Sequence, residues 1–258
     1  MRVNRKIVGD LGHFFKMRYN IDIATAQTTH PELFAAFIAT QYWIDEYNLN
    51  QYFGLNEDDA EQGKNWSNSK TWETRKSGQQ LLQLIRDDQD LSPEIPLKIL
   101  DVGCGDNIWK THLGAKVTGI DPYNDNADFK IDITNYAKEK TDPTSGEIND
   151  RFDICLVLGS INFGDQATIE RQIAEVVRLT KPGGKIYWRC NPGITHENEN
   201  AKWIDFFNWD EAYIQDIAKR MNCDVDEVCW DHPEGTELRN GNRLYSEWTK
   251  SQTFNTVK

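Results

Sequence analysis

Three acids stand where apolar runs end: Asp101 in KILDVGCGDN, Asp121 in AKVTGIDPY and Asp132 in FKIDIT. The first is followed by two glycines one residue apart, Gly103 and Gly105, around Cys104. Glycine lets backbone come close to a ligand that a Cβ would block. A turn that opens a helix also presents unpaired N–H groups to a carboxylate or phosphate. Asp101 adds a negative charge beside that turn, so the ligand it suits carries a cationic part as well as an anionic one. An amino acid moiety is such a ligand. Asp121, twenty residues on, is placed to accept from both hydroxyls of a ribose. Asp132, with Ile133 after it, is placed to accept from an adenine amino group.

Those residues need a scaffold. Apolar runs predict strands over 98–102, 115–120, 128–131, 152–158 and 184–190. Helices fit between them, the clearest at 167–179, where Ile169, Ile173, Val176 and Val177 share a face. Alternating strand and helix predicts an α/β fold, a parallel sheet covered on both sides, with ligands bound beyond the carboxyl ends of its strands. The small-residue loop Gly159–Ser160 lies at such an end. Upstream, 30–53 and 71–86 read as helices flanking a polar loop over 55–70. The acidic, proline-bearing stretch 87–97 reads as a connector. The division expected is a helical extension or lid over 1–92 and a sheet domain over 93–258.

Amino acid, ribose and adenine together describe S-adenosylmethionine. The segments DVGCG (101–105), GID (119–121), FKIDI (129–133), FDICLVLGS (152–160) and LTKPGGKIYW (179–188) resemble, in order, the core of a class I, Rossmann-fold S-adenosylmethionine-dependent methyltransferase. The resemblance covers roughly 95–250. It implies a doubly wound, mainly parallel seven-stranded sheet of order 3-2-1-4-5-7-6, ending in an antiparallel hairpin from 224–230 and 243–250. It implies cofactor contacts from Asp101, Gly103, Cys104, Gly105, Asp121, Pro122, Asp132, Ile133, Gly159 and Ser160. Trp72 and Arg75 are added as contacts from the lid. Asn107 replaces a glycine common in the family, and Asn tolerates left-handed backbone better than most residues. Where members that methylate base amino groups carry Asn/Asp-Pro-Pro-aromatic, this chain has GSINFGD.

The methyl acceptor should meet residues past the fourth and fifth expected strands: Ser160, Asn162, Arg189, Asn191 or His196. A base is needed only if the acceptor arrives protonated, so no catalytic residue is singled out. Arg189 could pair with an anionic substrate group or with a surface acid. His232 reads as a plain hairpin-loop residue. Asp210 and Glu211 read as the acidic first turn of a helix, and no metal cluster is identifiable. A nicotinamide dinucleotide dehydrogenase fits less well, because its third glycine would fall on Ile108. A non-catalytic cofactor-binding scaffold that works through a partner protein is the other alternative.

Composition narrows the partners. Across 258 residues the formal net charge is −12, and basic stretches are short. Duplex nucleic acid is therefore not an expected partner. Apolar runs are too short to span a bilayer, so no membrane partner is expected and a cytoplasmic location is. Five scattered cysteines suit buried thiols. The upstream segment is rich in tyrosine and tryptophan: either these aromatics only pack its helices onto the sheet, or the segment covers the site and chooses a small-molecule acceptor, the loop around 56–70 acting as a mobile cover. Oligomeric state is not legible.

Overall fold

The computed structural model describes residues 20, 28–35, 70–91, 97–192, 207–232 and 243–252. The chain divides into two compact units, 1–64 with 196–205, and 65–195 with 206–258. In the first, 31–35 are helical, and the Phe34 N–H donates to the His30 carbonyl at 3.0 Å. The rest of the expected helix 30–53, the loop 55–70 and His196 lie outside the described residues.

The second unit is built on six strands: β1 (Ile99–Val102), β2 (Val117–Ile120), β3 (Phe152–Val157), β4 (Thr180–Cys190), β5 (Cys223–Trp230) and β6 (Leu244–Lys250). Their order is β2-β1-β3-β4-β6-β5. The first four are parallel, and β6 runs antiparallel between β4 and β5. The expected third strand, 128–131, is reduced to one parallel bridge between Ile120 and Phe129. It lies beside β2, where the seven-strand order put it, but its residues are largely exposed and turn into a helix two residues later.

Alternation along the strands sorts side chains between two faces. Leu100, Val102, Cys155, Val157, Ile186 and Trp188 pack with α4 (Ile133–Lys140), α5 (Gln166–Leu179) and α6 (Glu211–Arg220). Ile99, Ile154, Leu156 and Tyr187 pack on the other side with α1 (Lys70–Thr74), α2 (Leu81–Leu91) and α3 (Ile108–Leu113). Both faces of the central strands are therefore buried, as a parallel sheet requires.

Two expectations about elements are corrected. The helix over 71–86 is broken, because Arg75 is extended (φ −78°, ψ 141°) and Gly78 is non-helical (φ −110°, ψ −122°). Gly78 lies so close to Trp72 that an added Cβ would be 2.3 Å from the Trp72 carbonyl oxygen. The connector over 87–97 begins later, since α2 continues through the acids to Leu91. In addition, β4 starts at Thr180 rather than 184. The Lys-Pro-Gly-Gly stretch is looped out of the ladder, whose register jumps from Phe152–Thr180 to Ile154–Lys185.

Candidate active site

The carboxyl ends of β1, β2 and β3 meet at the Gly103–Gly105 turn. Both glycines are left-handed, with φ +69° and +50°. Gly103 and Cys104 donate their N–H groups to the Ile120 carbonyl at 2.8 and 3.1 Å, fastening the turn to β2. Gly105 N–H donates to Asp121 Oδ2 at 3.1 Å. Asp121 Oδ1 accepts from the N–H groups of Tyr123 (2.8 Å) and Asn124 (3.1 Å), closing the turn that contains Pro122. Asp121 thus organises backbone on both sides of the crevice, a role that the sequence reading did not anticipate. Asn107 does take the left-handed conformation, φ 56°, at the start of α3.

Asp101 is the electrostatic centre of the site. It is 3% exposed at the end of β1, and its Oδ2 has no hydrogen-bond partner. Burial, then the charge of Asp121, push its carboxyl up to about 8. Ser160 Oγ is a second buried oxygen without a partner. It lies 3.1 Å from the place a Gly103 Cβ would take. Buried polar atoms in a folded protein are nearly always paired. Asp101 and Ser160 thus place two unpaired oxygens on either side of a glycine turn that a Cβ would fill. Burial, then Asp101, Asp121 and Asp128, push the Cys104 thiol up, away from the thiolate form that a nucleophile needs.

The remaining expected contacts are placed differently. Asp132 caps α4, its Oδ1 accepting from Thr134 and Asn135 N–H at 2.8 and 3.0 Å and its Oδ2 from the Asn135 side chain. Ile133 is buried in the core below. Asp128, which the sequence reading passed over, accepts from Gly119 N–H at 2.8 Å and pairs with Lys110. Trp72 is 3% exposed and packs on Trp109 and His112, with centroids 5.5 and 5.7 Å away.

Of the acceptor-side candidates, Asn162 and Asn191 form a latch. Asn162 Nδ2 donates to the Gly159 carbonyl and its Oδ1 accepts from Asn191 N–H, both at 2.8 Å. The Asn191 carbonyl accepts from Trp209 N–H at 3.1 Å. Arg189 pairs with a buried acid, Asp231, rather than a surface one. His232 is not a plain loop residue, being 3% exposed with its Nε2 accepting from Arg75 Nε at 2.9 Å. Asp210 caps α6 as expected, accepting from Tyr213 N–H at 2.7 Å.

Residues 100–188, the stretch that holds the turn, Asp121 and Ser160, match the family model described as a methyltransferase domain. Over those residues the chain is similar to methyltransferase domains. Similar solved structures include a Burkholderia thailandensis 1,6-didemethyltoxoflavin-N1-methyltransferase, at 13% identity over 80% of this chain and 90% of that one, TM-score 0.49. Another is the magnesium protoporphyrin IX methyltransferase of Synechocystis, at 15% identity over 67% and 79%, TM-score 0.44. The acceptors named there belong to those proteins. No curated protein matches the chain. Among the described residues, no helix is long and apolar enough to cross a membrane.

Proposed function

We propose that this chain transfers the methyl group of S-adenosylmethionine to a small-molecule acceptor. The observation that carries this reading is Asp101: a buried carboxylate with an unpartnered oxygen, beside a left-handed glycine turn. A cationic group on the ligand would supply the missing partner and hold Asp101 ionised. In this reading Gly103 and Gly105 give the ligand access to backbone, and Ser160 Oγ offers a hydrogen bond from the facing loop. Asp121 has its oxygens on the rim between Gly105 and Tyr123 and would add acceptors for ribose hydroxyls. Asp132, though it caps α4, is at the edge where adenine would lie.

The bound cofactor supplies an electrophilic methyl on a sulfonium. The protein's part is orientation of the nucleophile, worth several kcal/mol in well-aligned reactions (about 7–11 at the extreme). The rigid latch of Asn162, Asn191 and Trp209 fixes the loops on which the acceptor would rest. The net charge of −12 argues for a small acceptor over a duplex.

Calorimetry with S-adenosylhomocysteine and, separately, with NAD tests the cofactor half, and saturable binding of the first alone is expected. Binding of NAD instead would overturn the reading. Transfer of labelled methyl to an acceptor-containing extract separates an enzyme from a cofactor-binding scaffold.

A further inference from the structure

At the carboxyl edge of the sheet, Arg189 pairs with the buried Asp231 and Arg75 with the next residue, His232. Asp231, fully buried just past β5, accepts from Arg189 Nε at 2.8 Å. It also accepts from Ser77 N–H at 2.8 Å and Ser77 Oγ–H at 2.9 Å. Its charge is thus shared by hydrogen bonds on both oxygens. Among the described residues Arg75 forms no ion pair, and it gives its Nε–H to His232 Nε2 at 2.9 Å. Burial, then Arg75, hold His232 below the ordinary histidine range, so the ring adds no charge. The cluster carries two positive charges against one negative, in a protein whose net charge is −12.

The surplus charge has a direction. Arg189 Nη1 lies 3.7 Å from where a Cβ on Gly159 would be, and the next residue, Ser160, borders Gly103. The guanidinium therefore rests on the loop that lines the glycine turn. Among the described residues, the terminal nitrogens of both arginines have no hydrogen-bond partner. Burial, then the charge of Arg189, lower Arg75 from its usual range. An anion between the two would relieve that repulsion and accept planar, paired hydrogen bonds.

We propose that Arg75 and Arg189 bind a carboxylate, or an anion of similar shape, on the methyl acceptor, so that the substrate is an anionic small molecule held by that group. The proposal rests on the methyl-transfer reading above. The same chemistry could be met by the methionine carboxylate of the cofactor, and the experiment separates the two sources.

The probe is acetate, added to full-length protein saturated with S-adenosylhomocysteine, with chloride at matched ionic strength as control. The Nε–H signals of the two arginines are followed by nitrogen-15 NMR and assigned with R75Q and R189Q. A saturable acetate-specific shift of the Arg189 signal is expected, lost in R189Q, while affinity for S-adenosylhomocysteine changes by less than about twofold. Because R189Q removes the partner of a buried acid, R75Q serves as the second variant. It leaves Asp231 paired and should weaken the acetate response. An alternative result is that the arginine signals move on adding S-adenosylhomocysteine but not methylthioadenosine, and affinity for the former falls about tenfold or more in R189Q (about 1.4 kcal/mol). The anion is then the cofactor's, and the acceptor proposal is overturned. No shift with either ligand makes the cluster structural and also overturns it. If wild-type protein binds no S-adenosylhomocysteine, the methyl-transfer reading itself has failed.

Discussion

A methyl group added at Gly103 would fall 2.3 Å from the Cβ of Ser160, so the turn after β1 and the loop after β3 touch with no room for a side chain. Gly105, two residues away, has nothing within 4 Å of its missing Cβ. The two glycines should therefore fail in different ways. Gly103→Ala combines a left-handed backbone with a clash and should cost at least about 2 kcal/mol of stability. Gly105→Ala has only the backbone cost, about 1–2 kcal/mol, but its methyl enters the open space that the cofactor would take in the proposed reading. Denaturation midpoints and calorimetry with S-adenosylhomocysteine on both variants check this. Equal loss of cofactor affinity per unit of stability lost would contradict it.

The carboxyl of Asp101, pushed up to about 8, makes the ligand-free fold sensitive to alkali. Above the unfolded value of about 4, the unfolded chain has released a proton that the folded chain retains. Stability therefore falls as pH rises from about 4 toward 8, by up to about 1.4 kcal/mol per pH unit from this group. Asp101→Asn should remove that part of the slope. Urea titrations of both proteins across pH 5–8 measure it, and parallel profiles would refute the assignment. Affinity for S-adenosylhomocysteine should rise with pH over the same window, with proton release detectable by calorimetry in two buffers.

Asp121→Ala should harm fold and ligand together. The sequence alone suggests a residue whose loss weakens cofactor binding more than the fold. Its carboxylate instead accepts from three backbone N–H groups, at Gly105, Tyr123 and Asn124. Loss of bonds to a charged acceptor should cost about 2–4 kcal/mol of stability. A melting temperature unchanged in the variant would show that these bonds are not made in solution.

Trp72→Ala is expected to destabilise strongly, by about 3–5 kcal/mol, because the indole is 3% exposed against Trp109 and His112. The sequence alone makes Trp72 a cofactor contact from the lid, and its burial makes it a packing residue as well. A melting temperature close to wild type would restore the lid role.

The parts of the site that were legible in sequence are those fixed by local backbone geometry. Gly103, Gly105 and Asn107 announce left-handed turns, and all three adopt positive φ. The apolar runs of β1 and β3 and the stripe of α5 are burial patterns that only their own elements can satisfy. What escaped was set by contacts between distant segments. Asp231 is one acid among many in the sequence, yet it gathers Ser77 and Arg189 from 154 and 42 residues away. No periodicity marks such a residue. The break at Arg75–Gly78 escaped for the same reason, since the Ser-Gly pair fits a helix until Trp72 occupies the space beside Gly78.

Pro192 and Asn208 are joined by an antiparallel bridge, and the Asn191 carbonyl holds Trp209 N–H at its foot. Residues 191–192 and 208–209 are therefore joined by backbone at the carboxyl edge of β4. These are backbone bonds and do not depend on which side chains stand there, so exchanges at positions 191 and 209 can change the surface beside Asn162 while the two chain ends stay joined.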